Sequence, residues 1–243
     1  MGFVRKHVEV IDSTNVALWS ESEQRELPDF YCLTAGFQSK GMGQDANLWE
    51  SEKNQNILMS TLVHPHFLLA EDAFQISRWV ALSVFRYLQA KGLEDIKIKW
   101  PNDIYVGKKK IAGILIQNAM AGSYLSKSMI GVGINVNQTN FLSDAPNPVS
   151  LKHLTNTHYQ LSNEINMLME SLQLVYQELQ QQPQMILERY LKHLYQKDVF
   201  CTYQIAVAQI KGKIKGVDQF GRLLLESPNG NIDVFDIKEI RFL

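Results

Sequence analysis

The sequence KWPNDIYVGKKKIAGIL, at residues 99–115, combines a turn signal with two short apolar runs. Pro101 fixes its own φ and favours an extended conformation in the residue before it. Asn and Asp directly after a proline favour a tight turn. Residues 104–106 then predict a short strand, Gly107 and the lysines beside it predict a hairpin turn, and residues 110–116 predict the returning strand.

This hairpin places four different groups on neighbouring strands: the Asn102 amide, the Asp103 carboxylate, the Lys110 ammonium and the bare backbone of Gly113. Glycine inside a strand weakens it unless something must approach the backbone closely. The set suits a small ligand with an anionic reacting centre, and the alternative is a surface hairpin with a basic tip. For the two turn lysines the surface interpretation is better. For Asp103 and Lys110 the pattern alone leaves both interpretations open.

The composition is that of a globular protein with an ordinary core. Its 243 residues allow one large or two modest domains, and 45% of them are hydrophobic. The net charge of −1 gives no overall attraction to nucleic acid or to an anionic membrane. Cys32 and Cys201 show no metal-type spacing, so we expect two free thiols in a reducing compartment.

The first ten residues, MGFVRKHVEV, lack the apolar run of a signal peptide, and no run is long enough to span a bilayer. We therefore expect a soluble, cytoplasmic protein that binds neither nucleic acid nor membrane. The histidines on either side of Pro65 have no Cys or acidic residue beside them in sequence. A turn explains them better than a metal site does, so no residue is assigned as a metal ligand.

Hydrophobic periodicity predicts a chain in which strands and helices are mixed. Helical spacing predicts helices over 71–90, 163–179 and 185–195, and a further helix after residue 15. Alternating or continuous apolar runs predict strands at 3–11, 31–35, 56–63, 96–99 and 127–132, with a hairpin at 118–126. From residue 199 short strands with turn signals about nine residues apart are typical of a small β-barrel or sandwich.

Three further segments carry polar residues or glycines at strand ends. Residues 13–15 read STN and lie between the first strand and a helix, where capping of the helix by Ser13 or Thr14 is the favoured interpretation. Residues 36–49 are rich in glycine and polar residues, which predicts a mobile loop. Residues 131–137 read GVGINVN and end a strand rather than precede a helix, so they are not a dinucleotide fingerprint.

Together with KWPND, the basic turn and KIAGIL, these segments resemble the sequence signature of biotin protein ligases. The resemblance implies an α+β protein with a mixed sheet flanked by helices, in the class II synthetase-like biotin/lipoate ligase fold. It also implies a small SH3-like β-barrel at the C-terminus, with domains at 1–196 and 197–243. A unit of about 45 residues is near the lower limit of independent stability, so we expect it to lean on the main domain.

The ligase pattern begins within the first fifteen residues. We therefore expect a ligase of the form that lacks an N-terminal helix-turn-helix and does not bind an operator.

The resemblance also implies roles for individual residues. Lys110 and Asp103 are the implied catalytic pair. Trp49, Asn102 and Asn135 are implied to contact the adenylate, with Asn135 reading the adenine edge; a turn-forming Asn in a kinked strand is the alternative. The implied biotin-binding residues are Ser13, Thr14, Asn15, Gln38, Gly41, Met42, Gly43, Gln44, Lys110 and Gly113.

The 38–49 loop departs from the family pattern at one position. Met42 stands where an arginine is usual, which removes a cation from an anionic ligand unless Lys40 replaces it. Gln44 matches one branch of the family. The other matches in the loop are Gln38, Gly41, Gly43, Asn47 and Trp49.

The implied activity is that of a biotin–[biotin carboxyl-carrier protein] ligase. Biotin attacks the α-phosphorus of ATP, which gives biotinyl-5′-AMP and pyrophosphate, and a lysine of a biotin carboxyl carrier domain then displaces AMP. Lys110 is the implied cation, because negative charge accumulates at the carboxylate and the phosphate. Asp103 would place Mg²⁺ or orient the amine, and the loop would close to exclude water. The pattern allows a homodimer and does not give the oligomeric state.

Two alternatives share this pattern. A lipoate or octanoate ligase has the same fold and the same adenylate chemistry. A catalytically inactive relative that only binds biotin or a partner is the non-enzyme alternative, and the Met42 departure keeps it open.

Overall fold

The computed structural model describes residues 2–44, 48–142 and 147–243, so Asn47 lies outside the described residues. The helices in these ranges are α1 (Thr14–Gln24), α2 (Phe74–Gln89), α3 (Leu151–Thr155), α4 (Leu161–Gln181) and α5 (Pro183–Lys192). The strands are β1 (Arg5–Ile11), β2 (Tyr31–Gln38), β3 (Ile57–Val63), β4 (Ile96–Lys99), β5 (Asp103–Val106), β6 (Lys109–Ala121), β7 (Tyr124–Ile134), β8 (Phe200–Ile205), β9 (Ala208–Val217), β10 (Leu223–Glu226), β11 (Ile232–Phe235) and β12 (Arg241–Phe242). None of these helices is both long and apolar enough to cross a membrane.

The larger sheet of the described chain has seven strands in the order β1-β2-β3-β7-β6-β5-β4. β1 and β2 are parallel, and every other neighbouring pair in this sheet is antiparallel. The predicted α+β class with a mixed sheet is therefore confirmed. The predicted 118–126 hairpin is mostly strand, because the β6–β7 pairing continues to Ala121 and Tyr124 through a bulge after Ala119.

Helices cover both faces of the larger sheet. Side chains alternate between the two faces of a strand, and β2 shows this directly. Cys32 belongs to the large core that includes α2, α4 and α5, whereas Tyr31 and Leu33 belong to a second cluster with Leu18 of α1. α1 therefore packs on the face opposite the other long helices.

The smaller sheet of the described chain has five antiparallel strands in the order β11-β10-β9-β8-β12. Its architecture is consistent with the predicted SH3-like barrel. Buried residues such as Tyr203 and Leu225 belong to the same core cluster as Trp79 of α2. The two sheets thus share one core, and the division at residues 196 and 197 remains a prediction.

Candidate active site

A cavity of about 260 Å³ opens on the α1 face of the larger sheet. Leu62 of β3 and Met129 of β7 pack beneath α1, and Ser60 and Gly131, two positions along the same strands, line the cavity. The cavity brings together most of the residues that the sequence nominated. These are Ser13, Thr14, Asn15, Gln38, Met42, Gly43, Gln44, Trp49, Asn102, Asp103, Lys110 and Gly113.

Lys110 and Asp103 form an ion pair on the cavity wall. Nζ of Lys110 lies 2.7 Å from Oδ1 of Asp103, and the two side chains are only 22% and 18% exposed. Among the described residues they are the charged groups that line the cavity. An ammonium held in such a partly desolvated place can stabilise negative charge more strongly than one in open water.

A register shift between β5 and β6 explains why Lys110 faces the cavity. Asp103 pairs with Gly113 and Ile104 with Ala112, but Tyr105 pairs with Lys110 instead of Ile111. A bulge of one residue reverses which face the following side chains occupy. The bulge therefore turns Lys110 to the same face as Asp103 and Gly113.

The start of α1 is held by a side chain from another strand. Ser13 is the N-cap residue, but its side chain makes no capping hydrogen bond. Instead the Thr14 amide donates to Oε1 of Gln38 over 2.7 Å, and the Thr14 hydroxyl donates to the same oxygen over 2.9 Å. The interpretation of residues 13 and 14 as self-capping is therefore wrong, because the end of β2 supplies the acceptor. Ser13 is buried and lines the cavity.

Replacing Gln38 with methionine should destabilise the protein while keeping the length of the side chain. The change removes the acceptor of two hydrogen bonds and leaves the Thr14 amide unpaired. We expect the free energy of unfolding in urea to fall by about 1–3 kcal/mol, the cost of an unsatisfied partly buried donor. Gln24→Met, at the exposed end of the same helix, is the control and should change it by less than about 0.5 kcal/mol. Equal effects of the two changes would contradict the assignment.

Asn15 presents an unpaired amide at the base of the cavity. The residue is 4% exposed, and neither Oδ1 nor Nδ2 has a hydrogen-bond partner in the described part of the chain. Gly131 of β7 lies beside it, and a Cβ there would be in van der Waals contact with the Asn15 amide carbon at 3.4 Å. Buried polar groups in native proteins are nearly always paired. The Asn15 amide therefore indicates a ligand with both a donor and an acceptor.

Two predicted contact residues lie outside the large cavity. Gly41 does not line it. The Gly41 carbonyl accepts a hydrogen bond from the Trp49 amide over 2.9 Å, so this residue connects two parts of the loop. Asn135 lines an adjoining recess of about 50 Å³ that Trp49 and Lys110 also line. The Asn135 side chain donates to the Val149 carbonyl over 3.2 Å, and its role as the residue that contacts the adenylate stays a prediction.

Lys40 does not replace the missing arginine at position 42. Its Nζ lies 2.9 Å from Oδ2 of Asp12 in an exposed ion pair, and it is absent from the cavity wall. Hydrogen bonds from Ser39 and Lys40 lower the pKa of the Asp12 carboxyl. Lys40 is thus engaged with the end of β1, and Met42 stays without a cationic substitute from that residue.

A buried amide pair, which the sequence pattern did not indicate, anchors the far end of the loop. Oε1 of Gln138 accepts hydrogen bonds from the Glu52 amide at 3.0 Å and from the Asn56 side chain at 2.5 Å. Oδ1 of Asn56 accepts the Val136 amide at 2.9 Å. The segment after Trp49 is therefore tied to the chain just past β7, close to Asn135.

The fold is similar to that of solved biotin protein ligases. The biotin protein ligase from Aquifex aeolicus in complex with biotin and ATP superposes with a TM-score of 0.81 over 99% of both chains, at 20% identity. The Leishmania major enzyme in complex with biotinyl-5-AMP gives a TM-score of 0.67 over 97% of this chain and 100% of that chain, at 18% identity. At these identities the likeness shows the fold, and it confirms the predicted architecture.

Curated relatives share more sequence over shorter stretches. The bifunctional ligase/repressor BirA of Bacillus spizizenii is 31% identical over 156 residues, which is 64% of this chain and 46% of that protein. The chloroplastic biotin–protein ligase 1 of Arabidopsis thaliana is 35% identical over 120 residues, which is 46% of this chain and 31% of that protein. These matches span less than half the length of either relative.

The family match covers the segments that build the cavity. The model of the biotin/lipoate A/B protein ligase family matches residues 7–135. This range is more than half of the chain and runs from β1 to the end of β7, so it includes Lys110, Asp103 and the 38–49 loop. The chain belongs to the biotin/lipoate A/B protein ligase family.

Proposed function

We propose that this protein activates biotin with ATP to biotinyl-5′-AMP and transfers the biotin to a lysine of a biotin carboxyl carrier domain. The observation that carries the proposal is the Lys110–Asp103 pair on the wall of a cavity whose base holds the unpaired Asn15 amide. Its relatives include a protein named as a ligase/repressor and one named as a biotin–protein ligase, and its structural neighbours include biotin protein ligases in complex with biotin and ATP or with biotinyl-5-AMP.

The base of the cavity suits the ring end of biotin. A ureido group carries one carbonyl acceptor and two N–H donors. The Asn15 amide offers a donor and an acceptor that nothing in the described chain occupies, and the Ser13 hydroxyl lies on the same wall. Binding of the ring would satisfy the buried amide, so it would recover the desolvation cost that the free protein bears.

The Lys110 ammonium would act in the first step. Attack of the biotin carboxylate on the α-phosphorus forms a new O–P bond, and pyrophosphate leaves with the electrons of the bond that breaks. Negative charge accumulates on the oxygens between the two reactants, and a fixed cation stabilises it most in the transition state. The ion pair with Asp103 holds Lys110 in position before substrates bind.

Asp103 would act in the second step. The carrier lysine attacks the acyl carbon of the mixed anhydride, an amide bond forms, and AMP leaves with the phosphate oxygen. The Asp103 carboxylate, which lies on the same wall, is placed to accept a hydrogen bond from the incoming amine and to orient it.

Mg²⁺ would be held mainly by the nucleotide. In the described part of the chain no three His, Cys, Asp or Glu side chains cluster to form a metal site. Mg²⁺ at nucleotide sites usually binds one or two carboxylates together with phosphates and water. Asp103 is the carboxylate on the cavity wall, so it fits that role, and the ion would neutralise phosphate charge.

Restoring a cation at position 42 should tighten ligand binding. Met42 lines the cavity and is 44% exposed, so an arginine side chain fits there without entering the core. We expect Met42→Arg to lower the KM for biotin by about 3–10-fold, the scale of one partly exposed charge-assisted hydrogen bond. Met120→Arg, on an exposed position far along β6, is the control. A KM that falls equally in both variants would indicate a general charge effect.

An assay of the purified protein tests the proposed function. ATP is supplied with biotin, lipoate or octanoate, and pyrophosphate release and labelling of a carrier domain are measured. We expect pyrophosphate to be released when biotin is supplied, and one lysine of the carrier domain to be biotinylated. Release with lipoate or octanoate alone would establish the related ligase, and biotin binding without release would establish a non-catalytic binding protein.

A further inference from the structure

Trp49 lies between two spaces in the protein. It lines both the large cavity and the smaller recess that contains Asn135, and Lys110 is next to it on both walls. Nζ of Lys110 is 5.7 Å from the centroid of the indole ring, which is within cation–π distance. The ring therefore stands where the two spaces meet.

A pair of glycines makes room for this ring. Gly113 of β6 and Gly133 of β7 are directly paired across the two strands. A Cβ added to Gly133 would lie 2.5 Å from Cε2 of Trp49, and one added to Gly113 would lie 2.8 Å from Cζ3. Both distances are shorter than carbon atoms tolerate. The indole thus occupies a notch in the sheet that exists only because both residues lack a side chain.

The indole nitrogen shows that this is not an ordinary core position. Nε1 of Trp49 is buried and has no hydrogen-bond partner in the described part of the chain. A buried tryptophan usually finds an acceptor for this group. By comparison, Nε1 of Trp79 donates to a carbonyl over 2.8 Å, as does Nε1 of Trp100. The Trp49 N–H therefore lies unpaired against Gly133, where an added Cβ would be 2.9 Å from Nε1.

We propose that the Gly113–Gly133 pair is a seat for Trp49, and that Trp49 in this seat separates a biotin chamber from an adenylate recess. Gly133 is then a positioning residue that acts through the indole. The names of the two ligands rest on the proposed function, but the seat does not depend on them. Trp49 would lie beside the acyl-phosphate, next to Lys110, at the point where the two spaces meet.

The seat can be tested in the free protein. Gly133→Ala should displace the indole and make Trp49 more accessible to acrylamide. The quenching of Trp49 fluorescence is obtained as the difference between the protein with Trp49 and the same protein with Trp49→Phe. We expect the quenching constant of Trp49 to rise about twofold or more, since a buried ring becomes exposed to solvent. Gly216→Ala is the matched control, because a Cβ there meets only Leu191 at an ordinary 3.4 Å. An unchanged constant in Gly133→Ala would overturn the seat.

The positioning role needs a double-mutant cycle. In the wild-type background we expect Gly133→Ala to lower kcat/KM for ATP by about tenfold or more, as for a displaced contact between coupled residues. In a Trp49→Ala background the same change should lower it by less than about twofold, because no ring remains to be displaced. If Gly133→Ala lowers kcat/KM by the same factor in both backgrounds, the two changes act independently and the proposal is contradicted.

Failure of the proposed function and failure of the seat give different results. If the wild-type protein does not use biotin and ATP, the proposed function fails, while the quenching experiment still decides the seat. If circular dichroism shows that Gly133→Ala does not fold, Gly113→Ala repeats both experiments at the facing position.

Discussion

Lys110→Ala should slow the formation of biotinyl-5′-AMP by about 10²–10⁴-fold, the range for loss of one electrostatic group that acts on a transition state. The Lys110 ammonium is one of the two charged groups on the described cavity wall, and its partner Asp103 carries the opposite sign. Without it the carboxylate of biotin must approach the phosphates of ATP beside an uncompensated Asp103. Pyrophosphate release in single-turnover experiments measures the effect directly.

The loss should be catalytic rather than structural. The backbone of Lys110 donates to the Asn147 carbonyl and accepts from the Val149 amide, each over 2.9 Å, and the alanine variant keeps both bonds. Lys109→Ala removes the preceding, exposed lysine and is the control, with a rate expected near that of the wild type. If purified, folded Lys110→Ala adenylates biotin at the wild-type rate, the assignment of this residue is wrong.

The residue types of the site could be predicted from the sequence, because they occur in short segments. The hairpin at 99–115 was expected from one proline, one glycine turn and two apolar runs, and the structure forms it as β4 to β6. The apolar run at 56–63 predicts a strand, and the structure forms it as β3, in which every residue is buried. Local patterns of this kind carry their own structural signal.

The relative placement of the groups could not be predicted in the same way. Alternation alone would put Lys110 and Gly113 on opposite faces of β6, and the shift opposite Tyr105 that turns Lys110 around depends on pairing with another strand. The acceptor for the first amide of α1 comes from Gln38, 24 positions away. Helix capping rules consider only residues near the helix in sequence. These features follow from strand register and tertiary packing.

The seat formed by Gly113 and Gly133 also depends on tertiary packing. A glycine in a strand predicts that something comes close to the backbone, but not what comes close. The structure supplies Trp49, which lies 84 positions earlier in the chain. Residues that meet across such distances leave no periodic pattern in one sequence, so the pairing of a loop indole with two strand glycines required coordinates.

Trp100→Ala should lower the free energy of unfolding by about 3–5 kcal/mol, the range for removing a large buried aromatic side chain. Trp100 is 2% exposed and belongs to the core cluster that both sheets share. Its Nε1 donates to the Gly221 carbonyl over 2.8 Å, from the ligase motif to the turn between β9 and β10. The change therefore removes packing and also a direct bond between the two units, and urea unfolding followed by circular dichroism measures the loss.

Trp100→Phe is the milder change, because it keeps a six-membered aromatic ring in the core but removes the N–H group together with the five-membered ring. We expect a loss of about 1–3 kcal/mol for this variant, since the Gly221 carbonyl is left without its donor. The C-terminal sheet is short and shares its core with the rest of the chain, so both variants should unfold in one transition. A separate transition for the C-terminal sheet in Trp100→Ala would show that this unit is stable by itself, and the shared core would then not be what holds it to the cavity-bearing sheet.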